Sequence, residues 1–98
     1  MNEKKKVITL DLTGCRSLGE LHKRIREAFD FPDFYGENWD AFWDLLRTEC
    51  DADEVKIVGE CTLSKDFEPH IKIMHEVLKD FKQNCEKYDD HFDFQVLS

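Results

Sequence analysis

Residues 7–12 form a short aliphatic and β-branched run, the pattern of a buried strand, and Thr13-Gly14 breaks it. Ser17-Leu18-Gly19-Glu20 has capping-box spacing, in which a hydroxyl and a carboxylate three residues apart each take up a free backbone N–H. Leu21, Ile25, Ala28 and Phe29 then recur at helical spacing, which predicts a first helix over 17–29. Pro32 bars its continuation. Residues 30–37 read as a loop, with Gly36 permitting a tight turn. Asn38 is a good N-cap for a second helix. Trp39, Phe42, Leu45 and Leu46 share its buried side, and the pattern fades over 48–53.

Residues 55–58 predict a second strand, stopped by Gly59, and 61–66 look irregular. Pro69 is tolerated only in a first helical turn, so a third helix begins near 66–68. Ile71, Met74, Val77, Leu78 and Phe81 are its apolar stripe. Phe92, Phe94 and Val96 alternate with His91, Asp93 and Gln95, which is strand periodicity. The order is β-α-α-β-α-β. Strands separated by helices pair in parallel through crossovers, so the expected fold is α/β, a small three-stranded parallel sheet packed with helices. No repeat, low-complexity tract or linker interrupts the chain, and residues 1–98 are expected to form one domain with a modest core.

Apolar residues at 41% and aromatics at 12% fit a packed globule and not a disordered chain. The charge balance narrows the partners. With 22 Asp and Glu against 14 Lys and Arg, the net charge of −8 repels nucleic acids and anionic membranes and attracts basic proteins. Solubility alone also explains such a charge. Cys15, Cys50, Cys61 and Cys85 include no C-x-x-C pair, so neither a zinc ribbon nor a thioredoxin-like site is expected. Residues 1–6 are polar and do not resemble a signal peptide, and no stretch is apolar enough to span a membrane. A cytoplasmic protein with reduced thiols is therefore expected.

Residues 34–44 are the most unusual segment, with three acids and five aromatic residues in eleven positions. Helical spacing puts Asp40 and Asp44 on one side, with Arg47 beside them and Trp43 at the border of the buried stripe. Two aspartates at i and i+4 repel by roughly 0.2–0.5 kcal/mol on an exposed helix. Asp40 is favoured by the dipole of the first turn. Asp44 can pair with Arg47 at i+3, as on any solvated helix face. Aromatic anchors beside charges are also what a protein–protein hot spot needs. Ordinary core packing is the competing reading, the stronger one for Trp39 and Phe42 and an open one for Tyr35 and Trp43.

The run Tyr35-Gly36-Glu37-Asn38-Trp39-Asp40-Ala41-Phe42-Trp43-Asp44 resembles the signature of the barstar family: Tyr-Gly-Glu-Asn, an apolar residue, Asp-Ala, an apolar residue, Trp-Asp. Leu18-x-x-Leu21-His22, Pro32-x-Phe34-Tyr35, residues 77–81 and Leu97-Ser98 are also similar, whereas 49–70 are less so. The resemblance implies an intracellular inhibitor of a secreted, basic, barnase-type ribonuclease, in the manner of an antitoxin or immunity protein. Such an inhibitor would act by a protein contact, with no catalysis, cofactor, metal, membrane or direct nucleic-acid binding, and would be a monomer when free. Carried over by position, the partner-binding residues would be Phe34, Tyr35, Gly36, Asn38, Asp40, Trp43 and Asp44, with Asp80 of the last helix in place of a glutamate. Asp44 would be the main phosphate mimic. Three residues depart from the pattern: Phe34 stands where a relative has Tyr, Trp39 replaces a smaller aliphatic residue, and Arg47 adds a positive charge.

Other classes stay in view. An acidic binding partner for a different basic protein or toxin nuclease would carry the same face. A small metal-dependent hydrolase would use the Asp40–Asp44 pair. No H-E-x-x-H or phosphate-loop motif accompanies that pair, and His22, His70, His75 and His91 read as surface histidines.

Overall fold

The computed structural model describes residues 6–97. The polar residues 1–5 and Ser98, part of the family-like C-terminus, lie outside that range. Three strands form one sheet: β1 (Val7–Asp11), β2 (Glu54–Val58) and β3 (Asp93–Val96), in the order β1-β2-β3. Both pairings are parallel, with Ile8 opposite Val55, Leu10 opposite Ile57, and Val55 opposite Phe94. Parallel neighbours need crossover connections. The first carries α1 (Leu18–Phe29) and α2 (Trp39–Glu49), and the second carries α3 (Glu68–Lys87). The element order and the parallel sheet are those expected from the sequence.

Burial alternates along β1 and β2, with Ile8, Leu10, Val55 and Ile57 facing the helices. Leu21 and Ile25 of α1, Phe42 and Leu46 of α2, and Met74 and Leu78 of α3 close the core from above. Gly59 ends β2 with φ at 85°, and a Cβ there would lie 2.4 Å from the Thr13 backbone N. Only glycine fits that close approach.

Several local details differ from the expectations. Ser17 caps α1 through a 3.1 Å bond from the Glu20 N–H, but Glu20 reaches back to the Arg16 N–H rather than to its own cap. The helix stops before Pro32 acts. Asp30 turns left-handed at φ 57°, and the Phe31 N–H bonds the Arg26 carbonyl at 2.9 Å, a Schellman-type ending. Residues expected to be irregular near 61–66 hold two short 3₁₀ turns, Glu60–Thr62 and Lys65–Phe67, the second leading directly into α3. The alternation at the C-terminus weakens along the edge strand: Phe92 is buried, Phe94 half-buried and Val96 exposed. His22, expected at the surface, is buried on α1.

Candidate functional site

The loop between α1 and α2 alternates anchors and projections. Phe31 and Tyr35 turn inward and are buried. Phe31 stacks on Phe29 at 5.2 Å and meets Tyr35 at 5.5 Å and Phe42 at 6.3 Å between ring centroids. Each buried aromatic contributes about 1.5–3 kcal/mol of apolar transfer energy, which fixes a loop otherwise short of backbone bonds. A single turn, closed by the Tyr35 N–H on the Pro32 carbonyl at 3.0 Å, throws Phe34 outward, where it is 77% exposed. Outside, Arg26 of α1 pairs with Asp33 at 2.9 Å.

Beneath the loop lies an unexpected polar contact. His22 Nδ1 sits 2.7 Å from the Tyr35 hydroxyl, both residues buried. The rings of His22 and Trp39 lie 4.5 Å apart, and Trp39 also packs edge-on against Phe42. The large residue at 39 thus roofs the histidine. Burial holds the His22 pKa below its usual value, with His70 lowering it further and Glu37 opposing. Burial likewise pushes the Tyr35 hydroxyl above its usual range. The pair is therefore neutral near pH 7 and serves as a hydrogen-bonded strut.

Asn38 starts α2 as expected. Its side-chain oxygen accepts from the Ala41 N–H at 2.8 Å, and its amide donates to the Gly36 carbonyl at 3.2 Å. The tight-turn role expected of Gly36 falls to its neighbour, since Glu37 is the left-handed residue, at φ 53°. Gly36 matters for space: a Cβ there would stand 3.2 Å from the Asn38 amide and 3.5 Å from Ala41. The cap fixes where α2 begins, and so which way Asp40 and Asp44 point.

Asp40 and Asp44 are both exposed, one turn apart, and Trp43 is half-buried at their border. Arg47 lies 3.5 Å from Asp44, and its guanidinium carbon is 5.3 Å from the centroid of the Trp43 ring. Residues 30–47 hold five acids and a single basic residue, so much of the net charge is concentrated here. Such a strip, acidic with one projecting phenyl ring and one half-covered indole, suits contact with a basic concave surface.

The structure gathers Phe34, Gly36, Asn38, Asp40, Trp43 and Asp44 on one continuous segment. Phe34, Asp40, Trp43 and Asp44 offer side chains outward, while Gly36 and Asn38 shape the turn. Tyr35 is in the core, where its ring and hydroxyl position the loop from below. Asp80 is exposed on α3, the helix packed against α2. Sequence reading missed His22 as a support. Two signals could have found it: 18, 21, 22, 25 and 29 share one helical stripe, and His22 closes the family-like Leu18-x-x-Leu21-His22 run.

All four cysteines are free. Burial raises the pKa of the Cys15, Cys50 and Cys85 thiols, which keeps them protonated and unreactive. Among the described residues, no helix is long and apolar enough to cross a membrane, and no three His, Cys, Asp or Glu group as a metal ion would need.

Comparison with known proteins places the chain in a family. The family model described as Barstar (barnase inhibitor) matches residues 5–97. A protein of Bacillus subtilis (strain 168), named "Putative ribonuclease inhibitor YrdF", is 32% identical over 60 residues, covering 61% of this chain and 66% of that protein. The match thus spans just under two thirds of the relative's own length. The extent of the family match leaves one assignment: the chain belongs to the barstar family.

Proposed function

We propose that this chain inhibits a basic, barnase-type ribonuclease by covering its active site with the 34–44 segment, and that it catalyses nothing itself. The observation that carries the reading is the exposed Asp40–Asp44 pair, flanked by Phe34 and Trp43 and held on a helix whose start is set by the Asn38 cap. Two exposed carboxylates one helical turn apart offer paired negative charge on one side of α2. Cations that bind phosphates would take them in the same way. Asp44 is the main phosphate mimic in this reading, and Asp80 on the neighbouring helix meets the rim of the partner. The protein works in the cytoplasm as a monomer, guarding a cell against a nuclease destined for export.

The test is a titration of barnase against the purified chain on an RNA substrate, with and without EDTA. Stoichiometric loss of activity, unchanged by the chelator, is the expected result. Undiminished RNA cleavage at a several-fold excess of the chain would refute the proposal. Metal-dependent phosphoester turnover by the chain alone would favour the hydrolase instead.

A further inference from the structure

Arg47 is the one cation on the acidic strip, and its surroundings say what it awaits. Among the described residues its ion pair is with Asp44, and at 3.5 Å that contact is longer than a good N–H···O bond. An arginine carries five N–H donors in a rigid plane. The guanidinium carbon lies over the Trp43 ring, 5.3 Å from its centroid and within cation–π range, which favours this placement while the side chain stays 46% exposed. The result is a pre-positioned fork with most of its donors open.

Docking changes its electrostatics. On the inhibitor reading, on which this inference rests, the partner's cations close on Asp44 and take its charge. Arg47 is then dehydrated beside those same cations. A buried cation without an anion is strongly unfavourable. A planar fork is best met by a carboxylate, which can accept two parallel bonds.

We infer that Arg47 is a specificity-determining residue that pairs with a carboxylate of the partner, set beside the cations that receive Asp44. The cognate surface is therefore mixed, a basic pocket with an acid in it. Proteins whose phosphate-binding sites are cationic throughout would be repelled by Arg47, so the residue separates one class of basic partner from the other.

The experiment uses barnase as probe, with inhibition constants for the parent, Arg47→Ala, Arg47→Lys and Asp44→Ala, and a thermal melt of each. Arg47→Ala should keep the parent's melting temperature and weaken inhibition about tenfold or more. Arg47→Lys should recover only part, because an ammonium cannot match the fork. Barnase variants with each active-site carboxylate changed to its amide should include one for which Arg47→Ala no longer matters. Equal or tighter inhibition by Arg47→Ala, with Asp44→Ala still weakened, overturns this inference and leaves the inhibitor reading standing, for then Arg47 merely competes for Asp44. An effect of Arg47→Ala that persists with every carboxylate variant overturns it as well. Absence of inhibition by the parent overturns both.

Discussion

Changing Tyr35 to Phe removes a single oxygen from beneath the loop between α1 and α2. That oxygen lies 2.7 Å from His22 Nδ1, in a place where neither residue reaches water. The variant leaves the imidazole nitrogen buried and unpaired, at a cost of roughly 1–3 kcal/mol. For a domain of this size, each kcal/mol moves Tm by about 4–8 °C, so a fall near 10 °C is expected. His22→Leu alone should also destabilise, since it strands the tyrosine hydroxyl. The double variant removes both partners together and should recover much of the loss, giving a coupling energy of about 1 kcal/mol or more. The pH dependence has a definite sign. Burial lowers the folded-state pKa of His22 from 6.5. The unfolded chain therefore binds a proton that the folded chain resists. The contribution is intact above the unfolded value and is lost as pH falls below it toward the depressed folded value. Urea unfolding of the parent and His22→Leu from about pH 7.5 to about pH 5 isolates this part, and the parent should lose more stability than the variant. A Tyr35→Phe melt that overlays the parent would show that the strut carries no energy, and parallel pH profiles for parent and His22→Leu would show that burial does not depress the His22 pKa.

Asp44→Ala should leave stability within about 0.5 kcal/mol, because the residue is exposed and its ion pair with Arg47 is loose. Its inhibition of barnase should weaken by at least about 2 kcal/mol by calorimetry, the size of interface hot spots in general, whose extreme case is itself a barstar aspartate. Asp40→Asn should weaken binding less and lower helix stability slightly, through the lost charge at the helix start. Stopped-flow association with barnase should slow steeply with salt while dissociation changes less, as the barnase–barstar pair itself illustrates, and a flat association rate would deny the acidic strip a part in encounter. Gly59→Ala should destabilise the fold by about 2–4 kcal/mol in denaturant titration, since the added carbon meets the Thr13 backbone at 2.4 Å in a left-handed conformation.

The parts of the fold visible in the sequence were those carried by apolar period. The Leu21–Ile25–Phe29 and Met74–Leu78–Phe81 stripes are buried as their spacing requires. Asn38 was readable because a capping residue announces itself by type. The misreadings arose where one letter hides two uses. His22 was read from its polarity, yet its place in the helical stripe and the distant Tyr35 decided its burial. The turn before α2 was ascribed to Gly36, but the positive φ falls on Glu37, and Gly36 instead gives room beside the Asn38 amide. Tyr35 and Phe34 are adjacent aromatics, and only the turn on Pro32 determines which goes inside. The loop's charges were legible, whereas the placement of Arg47 over Trp43 depends on the rotamers both adopt, although the two stand four apart on the helix.

The inward and outward alternation of the 31–44 segment bears on how such a protein can change its target. Phe31, Tyr35 and Phe42 hold the scaffold, and Phe34, Asp40 and Asp44 face solvent with almost no part in it. Substitutions in the second group are free to accumulate with little penalty to folding, because the two sets share few contacts. Phe34 shows the latitude: a side chain 77% exposed can gain or lose a hydroxyl without disturbing the core. On the proposed function, a lineage can therefore track a drifting partner by rewriting these three outward letters, while the inner letters keep the stage on which they are read.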